Sequence, residues 1–154
     1  MRFRFQAVLC LAWLAVTTDG FAQTSNSLAT AREYEITGFV GTTGGLGSAD
    51  GIRSAARFYA PAGVWGDSGN LYIADGGNHA IRKIVLATGQ VSTLAGAPGP
   101  AGSVDATGVV ARFGVVEGLW SDGTFLFVAD LGNRTIRKVE IATGIVTTLA
   151  GSPG

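Results

Sequence analysis

The sequence predicts an all-β fold assembled from repeated four-stranded antiparallel sheets. Three observations predict it. Residues 41–95 align without a gap to residues 96–150, with 26 of 55 positions identical. Each copy holds four short apolar runs separated by Gly, Asn and Asp, the residues that supply turn backbone. Glycine occurs 24 times in 154 residues, without the G-X-Y period of collagen, so it reads as punctuation between strands.

The first 22 residues stand apart from this pattern. Arg2 and Arg4 precede an apolar run, Ala7 to Val16, and Gly20-Phe21-Ala22 offers small residues for cleavage after Ala22. That is the layout of a secretory signal peptide. The run is too short for a bilayer span, which takes about 20 residues. Residues 1–22 are therefore expected to be removed, leaving no membrane span and a secreted or periplasmic chain. Residues 23–33 read as a polar leader. Cys10 is the single cysteine and leaves with the signal, which removes disulfides, thiol nucleophiles and cysteine metal sites. With 11 basic and 11 acidic residues there is no basic surplus to follow a phosphate backbone, so nucleic acid is not an expected partner.

The strands follow in order. In the first copy they are expected at 63–66, 71–75, 80–85 and 91–95, and in the second copy 55 residues later. The breaks are Asp67-Ser68-Gly69-Asn70, Gly76-Gly77-Asn78 and Ala87-Thr88-Gly89, where Gly and Asn provide the positive φ of tight hairpins. The runs do not alternate cleanly between apolar and polar, as expected for sheets covered on both faces. Repeated four-stranded sheets arrayed about an axis make a β-propeller, with complete blades at about 61–96 and 116–151.

The motifs Asp75-x-x-Asn78-His79-x-Ile81-Arg82-Lys83-Ile84 and Thr88-Gly89-x-Val91-x-Thr93-Leu94-Ala95-Gly96, with Ala56-Arg57-Phe58 upstream, resemble bacterial NHL repeats over residues 34–154. The second copy departs by carrying Arg134 where the first has His79. The resemblance implies a six-bladed propeller, of which two blades are complete here. It implies no single activity, because members include scaffolds, binders and enzymes. Residues 34–41 resemble the family's ring-closing outer strand. The missing blades make the chain read as a C-terminally truncated piece, and uncovered blade faces predict self-association. A short subunit assembling a ring from several copies is the other reading.

In an antiparallel blade the second turn and the connection to the next blade share one end. The long segments 41–60 and 96–115 are therefore expected beside the turns at 75–79 and 130–134. That end would gather Asp50, Arg53, Arg57, His79, Asp105, Arg112 and Arg134. Arg53, His79 and Arg134 are the candidate ligand-binding residues there, for a protein partner or a small polar ligand. Asp75 and Asp130 are expected to hold their own turns, and Arg57 and Arg112 to brace a carboxylate within each blade. Arg82-Lys83 and Arg137-Lys138 read as solvated or paired, and Trp65 and Trp120 as packing between blades. Glu117 breaks the repeat, standing where the first copy has Ala62. Glu117-Gly118-Leu119-Trp120 resembles the Glu-Gly-Pro-x-Trp element of gluconolactonase-like propellers, whose Glu helps hold a divalent metal. The Pro is absent. Glu117 is thus the metal candidate, with Ca²⁺ the expected ion in a complete ring. No catalytic residue is expected: there is no Gly-x-Ser-x-Gly elbow, and a single histidine builds no multi-histidine zinc site.

The sequence thus reads as an exported, non-catalytic binding or interaction module. The alternative is a fragment of a secreted propeller enzyme, a gluconolactonase-like lactone hydrolase or a lyase. Intact-mass measurement of exported protein should give a mature chain starting at Gln23; a product retaining residues 1–22 would refute the processing.

Overall fold

The computed structural model describes residues 38–42 and 44–153. These form two antiparallel sheets. The strands are β1 (Gly51–Ile52), β2 (Pro61–Gly66), β3 (Asn70–Asp75), β4 (Ala80–Val85), β5 (Gln90–Gly96), β6 (Val116–Ser121), β7 (Phe125–Asp130), β8 (Thr135–Glu140) and β9 (Val146–Ala150). The first sheet has the order β1-β5-β4-β3-β2 and the second β6-β7-β8-β9. The eight strands expected from the repeat are all present. β2 and β6 begin two residues earlier than expected, each with a bulge, between Pro61 and Val64 and between Val116 and Leu119. The expected closing strand at 34–41 lies mostly outside the described residues, as do the signal and the leader.

Local chemistry sets the turns. Asp67 accepts the Gly69 and Asn70 N–H groups at 2.7 Å, and Asp122 accepts those of Thr124 and Phe125 at 2.8 Å. Each closes its β-turn with a side chain. Gly89 and Gly144 have φ +73°, which only glycine enters without strain.

One feature of the backbone was not expected. The long connections do not stay at the end where they start and finish. Gly51–Ile52 pair with Gln90–Val91 on the outermost strand, and Thr107 bridges Ile145 at the matching place in the second sheet. Each connection therefore runs down to the opposite end, satisfies part of an otherwise bare strand edge, and returns across the sheet.

The two sheets stack. Tyr72, Ala74, Ile81 and Ala95 from one face of the first sheet share a core with Phe113, Val116, Leu126, Val128, Val139 and Val146. The inner strands meet closely: a Cβ on Gly63 would overlap the Glu117 carbonyl oxygen. The other face of the first sheet carries a smaller cluster, Ala56, Ile84 and Val91 with Val40, Phe58, Leu71 and Ile73.

A buried ion network ties each returning connection to its sheet. Arg82 is fully buried and bonds Asp75 Oδ2 at 2.8 Å, Asp50 Oδ1 at 2.7 Å, the Arg57 carbonyl at 2.9 Å and the Ala49 carbonyl at 3.0 Å. Its guanidinium lies over Phe58, 5.0 Å from the ring centroid. Arg137 repeats this with Asp130 at 3.2 Å, Asp105 at 2.6 Å, the Arg112 carbonyl at 3.0 Å and Phe113 at 5.0 Å. Of the two alternatives for these arginines, solvated or paired, they are paired, and buried. The expected brace by Arg57 and Arg112 is corrected accordingly. Among the described residues their side chains donate to backbone carbonyls, Ala56 and Ala111 at 2.8 Å. The carboxylates are already taken by the strand arginines.

Breaking a buried pair leaves an uncompensated charge, which costs about 3–5 kcal/mol. Arg82→Met should lower unfolding free energy by about that much, with Arg137→Met similar, measured by urea denaturation. A loss below about 1 kcal/mol, typical of exposed pairs, would contradict the network's role.

Candidate functional site

The candidate site is the end of the sheets where β3 turns into β4 and β7 into β8. Single 3-10 turns, Gly76–Asn78 and Leu131–Asn133, make these corners, and His79 and Arg134 close them at φ 53° and 57°. Left-handed backbone is uncommon for residues other than glycine. It is held here by the network beneath. Asp75 Oδ1 accepts the Tyr59 N–H at 2.8 Å, and its Oδ2 accepts Asn78 Nδ2 at 2.8 Å. Asn78 also donates to the Gly47 carbonyl at 2.8 Å. Asp130, Asn133, Gly114 and Gly102 repeat the arrangement. Asp75 and Asp130 thus hold their turns as expected, and bind an arginine as well.

The three ligand-binding candidates do not converge. His79 Nδ1 lies 2.7 Å from the Gly114 carbonyl, which only accepts, so the ring donates and bridges the two sheets. Arg134, its counterpart, is exposed. Arg53 is at the other end of the first sheet. Its N–H donates to the Gly89 carbonyl at 2.9 Å, and its guanidinium stands 5.8 Å from the Phe39 centroid. The shared position expected for Arg53 fails because the connection descends along β5 before it returns.

Glu117 is exposed on β6. No group of three or more His, Cys, Asp or Glu suited to a metal occurs among the described residues. Two residues of this end escaped the sequence reading. Tyr59 is half exposed and packs over Gly77, and Leu131 is exposed at the second corner. Both break the repeat, standing opposite Gly114 and Gly76. That signal was available in the alignment. Trp120 is 58% exposed, whereas Trp65, at the matching position, packs against the core between the sheets.

Burial raises the pKa of Tyr72. Asp67 and Asp122 are held below the usual carboxylate range by the turn N–H groups they accept. For Asp105 partial burial pushes upward, but the Thr148 N–H and Arg137 outweigh it and the pKa falls.

The chain is similar to several solved structures, among them three from Bacteroides. An auxiliary nutrient binding protein from Bacteroides thetaiotaomicron VPI-5482 matches at 25% identity and TM-score 0.57, over 79% of this chain and 31% of its own. A candidate phosphatase from the same organism matches at 24% and 0.60, over 81% and 29%. An auxiliary nutrient binding protein from Bacteroides ovatus ATCC 8483 matches at 20% and 0.56, over 77% and 29%. The chain spans about a third of the length of these proteins. No protein-family model and no curated protein matches the sequence. No helix among the described residues is long and apolar enough to cross a membrane.

The three depressed aspartates fix an acid limb. Their folded pKa values lie below those of the unfolded chain, so their stabilisation is complete above about pH 3.9 and is lost as pH falls through the lower folded values. Urea midpoints should be flat from pH 7 to 5 and drop below about pH 4. Asp105→Asn should shallow that drop; an unchanged acid limb would exclude Asp105 as a contributor.

Proposed function

We propose that the chain supplies two blades of an NHL-type β-propeller, exported through its N-terminal signal, that binds a small polar ligand or a protein segment without transforming it. The site is the corner end around His79 and Arg134. One observation carries this reading. Of the charged groups that both repeats preserve, Asp75 with Arg82 and Asp130 with Arg137 are buried and hydrogen-bonded within their own sheets. Removed from solvent, they lie out of a substrate's reach. Tyr59, Arg134 and Glu117, which break the repeat, are exposed polar side chains at this end. Such residues on a rigid scaffold are where binding resides. A neighbour at 25% identity being an auxiliary nutrient binding protein supports the same reading. Glu117 remains the acid for a cation in a complete ring. Alone it falls short of the roughly 6–8 oxygens Ca²⁺ takes.

The test is a thermal-shift screen of the exported chain with mono- and disaccharides, amino acids and nucleosides. At least one should raise the melting midpoint. Arg134→Ala should weaken that binding about tenfold, or about 1.4 kcal/mol, while leaving the ligand-free melt unchanged. Multiple-turnover consumption of a compound would overturn this in favour of a lactone hydrolase or lyase fragment.

A further inference from the structure

The network around Arg82 joins two carboxylates that share a sequence feature. Asp50 is followed by Gly51 and Asp75 by Gly76. Their counterparts in the second network are Asp105 before Ala106 and Asp130 before Leu131. The difference is chemical. A backbone amide nitrogen can attack the side-chain carboxyl carbon of the aspartate that precedes it. A C–N bond forms, the carboxyl hydroxyl leaves with the amide proton as water, and a five-membered succinimide results. Water then opens the ring at either carbonyl. One opening restores aspartate, and the other gives isoaspartate, whose main chain runs through the β-carbon. Glycine leaves the attacking nitrogen unshielded, whereas a side chain crowds it.

Packing accounts for both glycines. A Cβ on Gly76 would lie 2.9 Å from the Val116 carbonyl oxygen, and one on Gly51 would lie 3.0 Å from Ala55 Cβ. The first sheet therefore places two Asp-Gly pairs around one buried cation. In the folded chain neither carboxyl is free to react. Asp75 is fully buried, and its two oxygens accept the Tyr59 N–H, Asn78 Nδ2 and Arg82. Asp50 accepts Arg82 at 2.7 Å, and the Thr93 N–H and hydroxyl at 3.1 Å. Ring closure requires each carboxyl to leave these donors and turn to its own main chain. A third pair, Asp122-Gly123, lies in the exposed turn between β6 and β7. Among the described residues its carboxyl is held only by the Thr124 and Phe125 N–H groups.

We propose that Arg82 and its partners guard a latent modification site, holding Asp50 and Asp75 back from isoaspartate formation until the first sheet opens. The second network, with Ala106 and Leu131 at the same places, opens and recloses without that chemistry. An isoaspartate at 50 or 75 lengthens the main chain by one atom and moves the carboxylate away from Arg82. The guanidinium then returns to a buried site with a partner missing, which is strongly destabilising. Reversible opening of the first sheet thereby becomes irreversible loss.

Ageing the exported chain at neutral pH, folded and in urea, tests this, with isoaspartate located by peptide mapping and mass spectrometry. In urea the three Asp-Gly pairs should convert at similar rates, and Asp105 and Asp130 far more slowly. In the folded chain, conversion at 50 and 75 should fall at least about tenfold below the urea rate, the factor set by about 1.4 kcal/mol of opening free energy. Asp122 should convert faster there than either. Thr93→Val removes the hydroxyl donor to Asp50 and keeps the N–H. It should raise isoaspartate at 50, leave 75 unchanged and keep the wild-type far-ultraviolet spectrum. Arg82→Met should raise both. Equal rates at 50 and 75 in folded and unfolded chains would overturn the proposal. So would a folded Thr93→Val variant in which Asp50 converts no faster, or the absence of isoaspartate from 50 and 75 in urea.

Discussion

A guanidinium buried between two carboxylates is the constraint on which the rest of this architecture depends. Arg82 and Arg137 are charged groups taken wholly out of water, and each survives there because protein oxygens surround it, four for Arg82 and three for Arg137. Those oxygens come from places far apart in sequence: the end of β3, and two points on the connection that precedes the sheet. To keep the arginine solvated by protein, the connection has no choice but to return across the sheet at that height. Its backbone course, the corner at Asn78 and the position of Phe58 all follow from that requirement. A buried pair of this kind adds little net stability over apolar packing, but it penalises any other arrangement heavily. Its contribution is to specify one path for about twenty residues that have almost no regular structure of their own.

The stacking of the sheets depends on a different property, the smallness of the inner strand. β2 and β6 meet over a glycine, so main chain approaches main chain, and the larger residues are left to fill the wider space farther out. Tyr72, Ile81 and Phe113 occupy that space.

Much of this was legible in the sequence, and the parts that were not share a cause. Strands and hairpins are local, and Asp67, Asn78 and Gly89 announce them by turn chemistry alone. The paired role of Asp75 was half visible: a carboxylate repeated at the end of a strand reads as a turn holder. Arg82 was harder. An arginine followed by a lysine in a strand looks like a polar edge, and only the pleat, which sends Arg82 and Lys83 to opposite faces, separates a buried charge from a half-exposed one. Arg53 was misplaced for a related reason. Strand order determines where a connection begins and ends, but its middle is decided by hydrogen bonds to β5, which no spacing of residues reveals. The candidate site was legible as a set of departures from the repeat. Tyr59 and Leu131 were visible in that way but carried no recognised chemistry.

The wrapped connection also settles where one module stops and the next begins. By strands alone the natural unit would run from Pro61 to Gly96. By bonding it runs from Gly41 to Ala95, because the Ala49 carbonyl serves Arg82 and Asp50 serves both Arg82 and Thr93, all within that span. A duplication or recombination event cutting near Gly96 transfers a unit with its polar groups already matched, whereas a cut near Pro61 separates Arg82 from Asp50 and from the Ala49 and Arg57 carbonyls. The seam along which such genes can be spliced therefore lies just after the fourth strand, and block exchange between homologous arrays should respect it.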